Sequence, residues 1–135
     1  MTFKNVLVGV DGRPTGRDAI ALASQLVDPE GKLTLVHVHR DEMAEREASH
    51  KLLEEERSAA AVEAELVSVA SKAPGEGLHE QAKEQGADLL VVGSCSHSVL
   101  GRAVLGDDTR AALNGAPCTV AVATRGYAER LSRSA

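Results

Sequence analysis

Residues 87–113, ADLLVVGSCSHSVLGRAVLGDDTRAAL, begin as a strand and end as a helix, with glycines punctuating the passage between them. The opening ADLLVVGS (87–94) is the most apolar strand candidate in the chain. A short apolar run bounded by Gly86 and a glycine-containing loop reads as a buried strand. The close, GDDTRAALNG (106–115), has acids at its start and Asn-Gly at its end, which is where a helix places them. Three readings of the middle compete: a phosphate cradle, a Cys/His catalytic turn, or a plain loop between packed elements.

The same alternation recurs on both sides. FKNVLVGV (3–10) reads as a buried strand stopping at Asp11-Gly12, and TGRDAIALASQLV (15–27) as a helix. Thr15 and Asp18 resemble a capping box, and Pro29 and Gly31 close that helical region. KLTLVHVH (32–39) follows as a second strand. DEMAEREASHKLLEEERSAA (41–60) reads as a charged helix with a thin apolar stripe through Met43, Leu52 and Leu53, its LLEEERS run a solvated face. VEAELVSVA (62–70) is a more exposed strand, PGEGLHEQAKEQG (74–86) a helix closed by Gly86, and APCTVAVA (116–123) a last strand. The pattern predicts an α/β fold: a three-layer sandwich with a five-stranded parallel sheet, order 3-2-1-4-5, and helices on both faces. One domain over 1–125 is expected, with 126–135 a polar, partly loose tail. In that order the switch point lies between strands 1 and 4, where open α/β sheets hold ligands.

Composition removes several classes of function. Only 1% of residues are aromatic and the formal charge is −5. That argues against stacking platforms for single strands and against nucleic-acid backbone binding. No apolar run is long enough to span a membrane, and MTFKNVLVGV lacks the features of a signal peptide, so no membrane association and a cytoplasmic location are expected. Cys95 and Cys118 lack metal-ligand spacing and read as reduced thiols, Cys118 as a small buried hydrophobe.

The ends of strands 1 and 4, VGVDG (8–12) and VVGSCS (91–96), carry the candidate chemistry. Asp11, after Val10, is placed either to accept hydrogen bonds from a ribose hydroxyl or adenine amine, or to act as a turn acid. Gly93 ends a strand and Gly106 opens a helix, whose free backbone N–H groups suit an anion. There is no G-K-S/T triplet, so this is not a P-loop. GSCSH places Cys95 in a nucleophile-elbow position with His97 near it, but residues two apart on a turn seldom reach nucleophile–base geometry. A Cys95-dependent hydrolase is therefore the weakest reading, and a redox-responsive Cys95 a better one. His37 and His39 share a strand face without a third metal ligand, so structural roles are expected. Arg13, Arg17 and Arg102 reach phosphates or stay solvated.

VGVDG, GADLLVVGS, the loop to Gly106 and GAPCTVAVA together resemble the universal stress protein A family, from Val6 to Ala123. The resemblance implies a Rossmann-like α/β fold and a homodimer through the last strand (118–123). It also implies, for many members, binding of ATP or another adenine nucleotide, with Mg possible beside it, and at most weak hydrolysis. The family's nucleotide motif is Gly, two residues, Gly, nine residues, then Gly with Ser or Thr. Gly93 and Gly106 match it; Ser96 stands at the second glycine and Asp107 at the hydroxyl. By this resemblance Val10, Asp11 and Val38 fall on the nucleoside side. Gly93, Cys95, Ser96, Gly106, Asp107, Asp108 and Thr109 fall on the phosphate side. Two functions follow: a stress-response module that binds nucleotide, or a protein-interaction module of the same fold that does not.

Overall fold

The computed structural model describes residues 2–94, 97–99, 102–104 and 107–134, with side chains for 2–94 and 109–133. Its sheet is built from β1 (Phe3–Gly9), β2 (Val27–His39), β3 (Glu65–Ala70), β4 (Leu89–Gly93) and β7 (Thr119–Ala123). Their spatial order is β3-β2-β1-β4-β7, and every pairing is parallel. Counted as five, this is the expected 3-2-1-4-5. The helices are α1 (Pro14–Leu26), α2 (Met43–Ala60), α3 (Pro74–Gln85), α4 (Asp107–Leu113) and α5 (Tyr127–Ser134).

Strand periodicity sorts the core into two layers. Val6, Val8, Leu33, Leu35 and Val91 pack against Ala19, Ile20 and Ala23 of α1 and Leu53 of α2. Leu7, Val36, Leu90 and Val92 point the other way, onto Leu78 and Ala82 of α3 and Ala112 of α4. Successive residues of β1 and β4 are thus buried on opposite faces, which is why those strands read as unbroken apolar runs. With Phe as the only described core aromatic, at Phe3, aliphatic packing carries both layers.

Several local expectations are corrected. Pro14 occupies the first turn of α1, so the helix starts one residue early and its N-cap, Arg13, makes no side-chain capping bond. The Thr15–Asp18 capping box does not form. Asp18 lies deeper in the helix and faces α5 instead, where Oδ2 accepts the backbone N–H of Gly126 at 3.0 Å and Oδ1 that of Ala128 at 2.9 Å. These bonds cap α5, so the tail expected to be partly loose carries a helix over Tyr127–Ser134. β2 begins at Val27, directly after α1, with Pro29 and Gly31 inside it; a register shift between the partners of Phe3 and Asn5 accommodates the extra residues. In α2, Met43 is 80% exposed and outside the buried stripe. Ser49, Leu53 and Glu56 form the buried face instead. Glu56 thus leaves the solvated LLEEERS run, and Arg17 Nε lies 3.5 Å from its Oε2. The long loop after β4 contains a short antiparallel hairpin, β5 (His97–Val99) with β6 (Arg102–Val104), which nothing in the periodicity announced.

Candidate functional site

Parallel strands leave their C-terminal ends on one side of the sheet, and here β1, β2 and β4 open there on a single cleft of about 230 Å³. Val10, Asp11, Val38, Gly93 and Thr109 all line it, together with Arg13, Thr15, His37 and Leu78. Five of the residues singled out from sequence are therefore brought together at the strand 1/strand 4 switch point. Cys95, Ser96 and Gly106 lie outside the described residues. So do the side chains of Asp107 and Asp108, whose backbone opens α4.

Asp11 is the turn acid of the two readings. Oδ1 accepts the backbone N–H of Arg13 at 2.9 Å, the bond of an Asx turn, and Arg13 Nε stands 3.8 Å from Oδ2. The turn carboxylate is also a wall of the cleft. Gly12, at φ 83°, supplies the left-handed residue that turns the chain from β1 into α1. Val10 continues the sheet edge-on, its N–H donating to Val36 O at 2.8 Å.

Gly93 and Thr109 fix the other wall. A Cβ on Gly93 would fall 2.4 Å from Thr15 O and 2.8 Å from Thr15 C. Only a glycine lets β4 end against the backbone of α1. Thr109 Oγ1 donates to Gly93 O at 2.6 Å and is 1% exposed, so the hydroxyl ties α4 to β4. Its proton is committed, and toward a ligand this oxygen is an acceptor only.

His37 is the cleft residue that sequence reasoning placed on a face but gave no part in the site. Its Nδ1 lies 2.6 Å from Ser49 Oγ. His39 turns Nδ1 to Arg40 O at 2.5 Å. Among the described residues no three His, Cys, Asp or Glu side chains are gathered for a metal. Burial pushes the His37 pKa below its ordinary 6.5 and His39 adds to this, while the Asp11 carboxylate opposes it. A depressed histidine binds its proton more readily unfolded than folded. Its share of stability is therefore complete above about 6.5 and is lost as pH falls through the folded value. Replacing His37 with Gln should flatten the acid limb of a stability–pH profile measured by thermal melting; an unchanged slope between pH 7 and 5 would contradict this assignment. Cys118 packs half-buried beside Val120 and Val122, and burial raises its thiol pKa, which suits a small hydrophobe rather than a nucleophile.

Comparison with known proteins places this geometry in context. The Universal stress protein family profile matches residues 2–124. No curated protein sequence matches the chain. Among solved structures, a universal stress protein in complex with cAMP aligns with TM-score 0.70 at 23% identity, over 91% of this chain and 98% of that one. Universal stress protein UspA from Lactobacillus plantarum aligns at 0.69 and 20%, over 91% and 99%. A protein from Mycobacterium tuberculosis is 30% identical, with TM-score 0.56, over 74% of this chain and 78% of its own.

Proposed function

Because the chain belongs to the universal stress protein family, we propose that it is a cytoplasmic, homodimeric stress-response module that binds an adenine nucleotide of low charge without efficient catalysis. The observation that carries this reading is the cleft itself. Val10, Asp11, Val38, Gly93 and Thr109 converge on it from four separate elements, at the place where a parallel sheet offers strand ends to a ligand. Its chemistry suits a nucleoside: apolar walls at Val36, Val38, Leu78 and Val92, with a carboxylate at Asp11 for hydroxyl or amine donors. The fold neighbour that holds cAMP supports an adenine mononucleotide as occupant. Cys95, Ser96, Gly106, Asp107 and Asp108 would flank the phosphate end of such a ligand.

Charge decides which nucleotide. Asp107 stands where nucleotide-binding relatives carry a hydroxyl. At about 4 Å and an effective dielectric near 20, a carboxylate facing one phosphate charge costs roughly 4 kcal/mol, an upper bound that Mg and solvent reduce. AMP or a cyclic mononucleotide meets this charge with less repulsion than ATP. Asp107→Ser should tighten ATP by about tenfold, or 1.4 kcal/mol, in calorimetry and change adenosine little; unchanged ATP affinity would remove the charge argument.

Dimerisation is proposed through β7, which has β4 on one side and stands at the sheet edge on the other. Pairing residues 118–123 across a two-fold axis covers that edge. The reading as a whole is tested by mass spectrometry of small molecules released from freshly purified protein, followed by AMP and ATP titration and light scattering. Retained or tightly bound adenine nucleotide supports it. An empty protein indifferent to millimolar AMP and ATP overturns the nucleotide part and leaves an interaction module of the same fold. A monomer at micromolar concentration overturns the dimer.

A further inference from the structure

The ends of β2 and β3 hold a second cleft, of about 420 Å³, against α2. It shares His37, Val38 and Pro74 with the first cleft, so the two adjoin across the end of β2. Sheet register sets two cations here side by side. His39 and Ala70 are parallel partners at the ends of their strands, and the next residue, Ser71, donates its N–H to His39 O at 2.9 Å. Neighbouring strands lie about 4.8 Å apart. Arg40 directly follows His39, and Lys72 directly follows Ser71. Both are exposed, and both line the second cleft. Neither has an ion-pair partner among the described residues. The nearby carboxylates are engaged otherwise. Asp41 Oδ1 lies 3.3 Å from Arg46 Nη2. Glu45, the carboxylate of the cleft lining, accepts the backbone N–H of Arg40 through Oε2 at 3.0 Å. In a chain of formal charge −5, two neighbouring cations without such partners are out of keeping with the rest of the surface.

We propose that the second cleft is an anion subsite, in which Arg40 and Lys72 together take a phosphate or carboxylate group. Two like charges this close repel, and an anion between them turns that repulsion into attraction on both sides. An arginine and a lysine supply fork and point donors to such oxygens. Ala48 and Leu52 add apolar lining for the uncharged part of a ligand. The anionic group comes from one of two sources: a ligand that spans both clefts over Val38, or a free anion bound beside the first occupant. The chemistry at Arg40 and Lys72 is the same for either. The spanning ligand rests on the nucleotide reading above; the anion subsite does not.

Two measurements on the full chain test this. Inorganic phosphate, titrated at constant ionic strength, should shift the backbone amide NMR signals of Arg40, Asp41, Ser71 and Lys72. Arg40→Gln and Lys72→Gln should each weaken that response about fivefold, the worth of one exposed charge contact. Both positions are exposed, so neither variant disturbs the core. Lys32→Gln removes a cation outside this cleft and should bind phosphate as the wild type does. The proposal is overturned if phosphate leaves these amides unmoved, if both cleft variants respond as the wild type does, or if Lys32→Gln weakens binding equally. Calorimetry with AMP and with the linear dinucleotide pApA then identifies the source of the anion. Tighter binding of pApA, lost in Arg40→Gln and Lys72→Gln, supports a ligand spanning both clefts. Equal binding of the two, with phosphate still shifting the same amides beside bound AMP, supports a free anion. Failure of both nucleotides to bind overturns the nucleotide reading, while the phosphate titration still decides the subsite.

Discussion

Gly93→Ala should lower the unfolding free energy by about 3 kcal/mol in urea denaturation, at the upper end of the cost of adding a methyl group to a packed site. The added Cβ meets backbone, Thr15 O at 2.4 Å and Thr15 C at 2.8 Å, and backbone does not swing aside as a side-chain terminus does. Relief requires moving α1 away from the end of β4, which loosens Ile20 and Ala19 against Val91. The contrast is Gly86→Ala. Gly86 has open space around its Cβ position and pays only for its φ of 66°. A loss there of about 1 kcal/mol, against a loss about three times larger at Gly93, separates steric approach from backbone conformation. Equal losses at the two positions would contradict the close-packing account. The motif glycine thus has a reason to be glycine before any ligand is considered.

Asp18→Ala should cost about 2–3 kcal/mol and free the C-terminal helix. The carboxylate is 6% exposed and accepts two backbone N–H groups at the start of α5, and charge-assisted bonds of this kind are worth roughly 1.5–3 kcal/mol. Removing it leaves Gly126 and Ala128 without an acceptor and the first turn of α5 without its compensating charge. Limited proteolysis should then cut after Arg125 or Arg130 in the variant under conditions that spare the wild type. Asp18→Asn separates the parts: it keeps one acceptor oxygen and should recover about half of the loss. Resistance of the Ala variant to proteolysis would show that packing on α1 alone holds the helix. The family match ends at residue 124, so α5 is an addition to the matched region, held by a residue within it.

The sheet and its order were legible because they depend on strong, redundant signals. Leu89, Leu90, Val91 and Val92 cannot be anything but interior, and strand–helix alternation with right-handed crossovers leaves few topologies. The cleft followed from the topology, and its carboxylate from Asp11 standing at the end of a strand. What sequence did not show was long-range and polar. Asp18 has the local spacing of a capping residue, yet its partners are more than a hundred positions away. Pro14 shifted the helix start and turned that side chain outward from its own N-terminus. Glu56 falls three residues after Leu53, on the same helix face, but as a carboxylate in a charged run it reads as solvated, and its pairing with Arg17 is not visible in the periodicity. His37 was visible as a histidine on a strand, but its bond to Ser49 depends on how α2 lies across β2. Hydrophobic patterning places elements; it does not say which polar groups meet once they are placed.

The two clamps on Gly93 have a consequence for how this chain can diverge. Thr15 holds its α-carbon and Thr109 its carbonyl, while Ser94 donates its N–H to Ala123 O at 3.0 Å. Both ends of the stretch joining β4 to α4 are therefore anchored by contacts that do not involve the residues in between. The side chains of that stretch take no part in these named contacts, so the closure of the frame does not depend on which residues fill it. The scaffold behaves as a socket with an exchangeable insert: ligand chemistry is free to drift, be lost, or be grafted anew, while the sheet that carries it stays the same.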